Sequence, residues 1–284
     1  MEPPNSLAQR HRMTALDDLN IVRYGSGPTK VISYHGWGAD HRKSFKYVIE
    51  KLPEHVSFWG VDLPGCGRSP RPSVFNYPEV ASILTQSFDD IVGDGETATL
   101  LGACSGAYHG LEIARQRPDK VDKLVMVDSM AYFPWFLGVL LAPGVGTLLF
   151  EGVFSSQRGR KAIQKVLEAT GVANAFDVME SFGRIDLGAA YRYLEFYDEM
   201  GTVDQYMTVN TPTTLLWGTH TWKVVLESVK MWRATLPNFT EVQVEGVGHL
   251  INQEAPEVVV EALLDATGES ARDAARQVAA ALHR

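Results

Sequence analysis

Cysteine is scarce in this chain, with two in 284 residues. That excludes a disulfide-stapled fold and fits a reducing compartment, so a cytoplasmic location is expected. Basic charge is in deficit: 26 Lys and Arg against 34 Asp and Glu leave a net charge of −8. Non-specific nucleic-acid binding needs a basic surface, so no nucleic-acid partner is expected. The opening MEPPNSLAQRHRM lacks the apolar core of a signal peptide. The greasiest stretch, AYFPWFLGVLLAPGVGTLLF, is broken by Pro134, Gly138, Pro143, Gly144 and Gly146. That much Gly and Pro suits a lid or cavity lining better than a membrane span, so no integral membrane association is expected. Metal-ligand clusters, P-loops and dinucleotide fingerprints are missing too. The GSG at 25–27 lies between N-terminal strands, outside any G-x-G-x-x-G context. No cofactor and no metal are expected.

What is present is ordinary for a soluble globular protein: 45% apolar and 21% charged residues. The length allows one large domain, or a domain carrying an insertion. β-prone runs at 30–36, 56–65, 97–102, 122–129, 211–218 and 240–246 alternate with runs of helical period. Phe45, Val48, Ile49 and Leu52 share one helical face, as do Val80, Ile83, Leu84, Phe88 and Ile91. A helix over 105–116 stops before Pro118, another opens at Pro256, and the Ala-rich tail from 268 reads as a third. Strand alternating with helix predicts an α/β fold with a mostly parallel sheet flanked by helices. The rhythm breaks between 131 and 210, where aromatics crowd: Tyr132, Phe133, Trp135, Phe136, Phe176, Phe182, Tyr191, Tyr193, Phe196 and Tyr197. We read 131–207 as an inserted helical cap on a core made of 1–130 and 208–284. Some of its aromatics fill the cap's own core. Tyr132, Trp135 and Phe136 are the candidates for an apolar substrate surface.

In a parallel sheet, ligands bind beyond the carboxyl ends of the strands. LLGACSGA sits at such an end. A nucleophile on a sharp strand-to-helix turn needs small residues two before and two after it. Gly102 and Gly106 provide this for Cys104, and the following helix N-terminus favours a thiolate. Ser105 is central in the shifted register, but between Ala103 and Ala107, which fit the turn less well. His249, in the Gly-rich loop VEGVGHL after the last strand, is the candidate general base. HGWG (35–38) offers backbone amides: those of Trp37 and Ser105 form the candidate oxyanion hole. The His35 side chain reads as satisfied by local hydrogen bonds. DLPGCGRS (62–69) reads as a structural turn, with Cys66 structural as well.

HGWG, DLPGCGRS, LLGACSGA and GVGHL, in that order, resemble the α/β-hydrolase superfamily, over most of the chain outside the cap. The resemblance implies an α/β-hydrolase fold and a nucleophile–His–acid triad. It also places an acid after the family's seventh strand, as W-G-x-x-D. Here the residues are Trp217, Gly218, Thr219, His220 and Thr221, so a threonine replaces it. Some members take the acid from the end of the sixth strand, where LVMVDS places Asp128. Glu245 and Asp204 are weaker alternatives. Most relatives use serine as nucleophile; a minority use cysteine, whose thioester intermediate suits acyl transfer, cyclisation or thioester cleavage as well as ester hydrolysis. The leading expectation is therefore a Cys104–His249–Asp128 enzyme acting on an ester or thioester of a small apolar molecule. HGWGADHRKSFKY is also similar to cofactor-independent quinolone dioxygenases of the same fold, which implies a His–Asp base acting on a heteroaromatic substrate. The missing acid at Thr221 motivates a third possibility, a non-catalytic ligand-binding member of the fold.

Overall fold

The apolar runs that end in glycine or a turn become the strands of one sheet. A computed structural model describes residues 19–169, 185–265 and 267–282, apart from the side chains of Phe136 and of 166–169. The strands are β1 (Ile21–Tyr24), β2 (Thr29–Tyr34), β3 (Val56–Val61), β4 (Ala98–Ala103), β5 (Val121–Val127), β6 (Thr213–Gly218) and β7 (Phe239–Val244). They lie in the order β1-β3-β2-β4-β5-β6-β7. β1 runs antiparallel to β3, and the other pairings are parallel. The family's third, sixth and seventh strands are thus β2, β5 and β6 here.

The helices are α1 (His41–Ile49), α2 (Tyr77–Ile91), α3 (Gly106–Gln116), α4 (Trp135–Gly138), α5 (Gly146–Phe154), α6 (Gln157–Ala169), α7 (Leu187–Glu199), α8 (Lys223–Thr235), α9 (Ile251–Glu254), α10 (Pro256–Leu264) and α11 (Glu269–Leu282). Their starts follow side-chain chemistry. Asp40 accepts from the Lys43 amide at α1, and Asn76 accepts from the Glu79 amide at α2. Pro256 opens α10, where its missing N–H costs nothing.

The inner strands β2 to β6 are buried on both faces, which is why they read as nearly continuous apolar runs. Ile32, Leu100, Leu124 and Leu215 join one core with Phe88 of α2, Leu111 of α3 and Trp232 of α8. Val31, Leu101, Val125 and Leu216, each one residue out of phase, join the other with Phe45 of α1, Val259 of α10 and Ala271 of α11. The period-2 alternation of a strand produces this division.

Among its described residues, the segment between β5 and β6 supplies α4 to α7 and two 3₁₀ turns. Among the described residues, no helix is long and apolar enough to cross a membrane. The greasy stretch is divided into α4, the 3₁₀ turn Val139–Leu141 and α5. Phe150, Phe154, Ala190 and Leu194 form a small core of the insertion's own. Tyr193 and Phe196 of α7 instead join the main core, and the Tyr193 hydroxyl donates to Pro64 O at 3.0 Å. Phe176 and Phe182 lie outside the described residues.

The chain places β3 on one side of β2 and β4 on the other. The loops after β2 and β4 therefore diverge and open a crevice, the usual place for a ligand in such a sheet.

Candidate active site

Two described residues other than glycine have a left-handed backbone: Cys104 at φ 51° and Asp128 at φ 50°. Both stand directly after a strand, β4 and β5. Side chains resist that region, and such strain collects at functional sites. At Cys104 the bend is possible because its neighbours are bare. A Cβ on Gly102 would lie 2.3 Å from the Ala107 Cα, and one on Gly106 would lie 2.2 Å from Tyr34 O. Ser105 has ordinary helical angles, φ −65° and ψ −19°. The elbow is therefore centred on Cys104, and the shifted register on Ser105 is not adopted.

Asp128 is fully buried and points its carboxylate at the loop after β7. His249 Nδ1 lies 2.5 Å from Asp128 Oδ2. The Gly218 amide donates to Oδ1 at 3.1 Å, and the Thr221 hydroxyl donates to Oδ2. Gly218 also lets the His249 loop come close: a Cβ there would lie 2.2 Å from Val247 O. Trp222 stacks on the His249 ring, with centroids 5.1 Å apart and planes at 22°.

Burial alone would push the His249 imidazole down. The negative charge of the Cys104 sulfur and the hydrogen bond to Asp128 outweigh it and raise the imidazole to about 10. Glu245 and Asp204 have surface partners, Thr219 and Thr202, and neither lines the cavity described next.

Cys104, Ser105, Trp37 and His249 line one cavity of about 170 Å³, largely apolar in its walls. The Trp37 amide donates to Ser105 Oγ at 3.0 Å. One of the two expected oxyanion donors thus already holds a hydroxyl oxygen. The Trp37 indole donates to Ala190 O at 2.8 Å, tying this loop to α7. His35 is fully buried, with Nδ1 bonded to Gly36 O and Nε2 accepting from the Leu63 amide. Burial lowers its basicity, so it is a neutral strut, as the sequence suggested.

Of the three expected substrate contacts, Tyr132 lines the cavity. Trp135 does not: it is 81% exposed. The reason is helical phase. Leu137 faces the cavity, so Trp135, two residues before it in α4, projects from the opposite side; Phe133, ahead of the helix, also lines the cavity. The side chain of Phe136 lies outside the described residues.

Residues 32–262 match the alpha/beta hydrolase family. The chain belongs to that family. It is 23% identical over 270 residues to the uncharacterized hydrolase YugF of Bacillus subtilis, covering 89% of this chain and 96% of that protein. Over 109 residues it is 32% identical to a pimeloyl-[acyl-carrier protein] methyl ester esterase of Pectobacterium carotovorum, a match spanning 38% of this chain and 40% of the relative. A thermophilic esterase from Thermogutta terrifontis superposes with a TM-score of 0.68 at 21% identity, over 92% of this chain and 93% of that one. The last likeness concerns the fold.

As an α/β-hydrolase-fold enzyme, the chain departs from the common pattern where sequence reading was weakest. Thr221 stands at the family's acid position, and its hydroxyl is bonded to the carboxylate on the neighbouring strand. Trp222, the next residue, had no sequence signal at all. A second His–Asp contact is made by residues that do not themselves line the cavity. His41 Nδ1 lies 2.6 Å from Asp62 Oδ1, and its Nε2 lies 3.0 Å from the Tyr24 hydroxyl. Asp62 also accepts from the amides of His41 and Arg68 and from Asn20. These bonds outweigh its burial and hold the carboxyl well below the usual carboxylate range. DLPGCGRS is thus the structural turn the sequence suggested, with the Arg68 amide bonded to Asp62 Oδ2 at 2.9 Å. Burial pushes the Cys66 thiol up to about 12.

Proposed function

We propose that this protein is an acyl-group hydrolase or acyltransferase acting on an ester or thioester of a small apolar molecule through Cys104, His249 and Asp128. One observation carries the reading: a cysteine held at φ 51° shares a cavity with a histidine bonded to a buried aspartate. His249 accepts the thiol proton, and the Cys104 thiolate attacks the substrate carbonyl carbon. The carbonyl electron pair moves to oxygen, which takes the Trp37 amide from Ser105 and receives the Ser105 amide as well. The intermediate collapses, the bond to the alcohol or thiol breaks, and imidazolium gives that leaving group its proton. Water, losing its proton to His249, then cleaves the Cys104 thioester to a carboxylic acid and free thiol. An alcohol or amine in place of water gives acyl transfer. Asp128 orients the ring and stabilises imidazolium throughout.

The cavity, at about 170 Å³, is below the roughly 300–1,000 Å³ of drug-sized ligand sites. A short acyl or aryl ester suits it. The Pectobacterium relative is named for a methyl ester, and a small ester of that kind is a natural first substrate. The test is turnover of a panel of aryl esters and acyl thioesters by wild type and Cys104→Ala. Loss of turnover in the variant supports the reading.

Aromatic walls favour a second reading. Trp222 stacked on His249 and Tyr197 across the cavity suit a planar heteroaromatic substrate that His249 deprotonates for reaction with dioxygen. Oxygen uptake with a 3-hydroxy-4-quinolone that survives Cys104→Ala supports it.

A further inference from the structure

α5 is apolar on opposite faces. Gly146, Phe150 and Phe154, spaced by four, are buried inward. Val145, Leu148 and Leu149, at i, i+3 and i+4, are 52%, 69% and 45% exposed. With Trp135 and Val139 they make five of the twelve exposed large hydrophobics among the described residues, all between 135 and 149. A helix apolar on both sides is ordinarily covered on both sides. Its one charged residue, Glu151, is exposed as well, at i+3 from Leu148 on the edge of that stripe.

The next helix supplies charge of one sign. α5 and α6 are in contact, with the Arg160 guanidinium bonded to Phe154 O at 2.6 Å. Residues 152–167 hold four basic residues and no acidic ones, in a chain whose net charge is −8. Arg158, Lys161 and Lys165, at i, i+3 and i+7, form one exposed stripe. Exposed aliphatic and tryptophan side chains on one helix region, with a basic stripe on the helix that follows, match an anionic bilayer surface: apolar groups enter the headgroup boundary while cations meet lipid phosphates.

We propose that this face of the inserted segment docks on an anionic lipid surface. Phe133 and Leu137 line the cavity from within, and Trp135 and Val139 of the same short stretch open outward. Docking would therefore set the roof of the cavity against the phase in which apolar esters dissolve. The inference does not depend on the chemistry at Cys104.

The test is flotation of the full chain with vesicles of phosphatidylcholine containing phosphatidylglycerol, and of phosphatidylcholine alone. The expected result is binding to the anionic vesicles that weakens with added salt. Leu148→Glu should abolish it, and Lys161→Glu with Lys165→Glu should weaken it about fivefold or more per charge. All variants should keep the wild-type melting temperature and turnover of a water-soluble ester, which separates lost docking from lost folding. Absence of flotation overturns the proposal. So does flotation equal in wild type and variants, or a concentration-dependent dimer that Leu148→Glu abolishes without any vesicle binding.

Discussion

The Thr221 hydroxyl donates to Oδ2 of Asp128, the same carboxylate oxygen that faces His249 Nδ1. A threonine at the family's acid position thus braces an acid supplied by the adjacent strand. Thr221→Val removes one neutral-to-charged hydrogen bond and is expected to lower kcat about tenfold with little change in KM. Thr221→Ser should restore most of it. Thr221→Asp sets a second carboxylate against Asp128, and one of the two then resists ionising. Its kcat profile should shift with pH where that of Thr221→Val keeps the wild-type shape.

Ser105 and Cys104 are adjacent, yet their substitution should separate cleanly. Cys104→Ala should reduce turnover on the order of 10³-fold or more, as loss of a nucleophile does. Ser105→Ala frees the Trp37 amide without touching the elbow. Its kcat should stay within about tenfold of wild type, because the amide remains as donor. Steady-state kinetics with one aryl ester decide both.

The fold was legible because its signals are local. Apolar runs at 97–102 and 122–129, each closed by a turn, fixed β4 and β5 to within two residues. The elbow was legible from Gly102 and Gly106, since only bare residues let that turn close. What stayed hidden depends on orientation. Trp135 carried the right chemistry for a substrate contact but faces solvent, a matter of helical phase in a one-turn helix. Thr221 read as a missing acid, because its use is set by how β5 lies beside β6, a long-range relation. The hydroxyl of Ser105 on the Trp37 amide likewise joins residues 68 apart in sequence.

His249 gives a pH dependence of known sign. Its imidazole is raised to about 10, against about 6.5 in an unfolded chain. The folded state keeps the proton across that interval and the unfolded chain does not. The contribution is therefore full below about pH 6.5 and is lost as pH rises toward 10. The melting temperature of wild type should fall more steeply over that interval than that of His249→Gln. The imidazole Cε1–H resonance should titrate lower in Cys104→Ser than in wild type.

Asp62 acts on stability rather than chemistry. Its carboxyl is held low by His41 and by the backbone amides around it, so its contribution is present above about pH 3.9 and lost as pH falls below that. Asp62→Ala strips four donors of their acceptor and should destabilise by about 3–5 kcal/mol. Urea denaturation measures this. Whatever fraction remains folded should keep wild-type kcat, since neither His41 nor Asp62 lines the cavity.

The central claim is that Cys104 carries the acyl group. Acid-quenched intact mass, followed by peptide mapping, during turnover of an aryl ester tests it directly. The account predicts a mass increase of one acyl group on Cys104, accumulating in His249→Gln, where the thiolate can still attack slowly but water is not activated, and absent in Cys104→Ala. An adduct mapped to Ser105, or a Cys104→Ala variant that turns over at the wild-type rate, would contradict it.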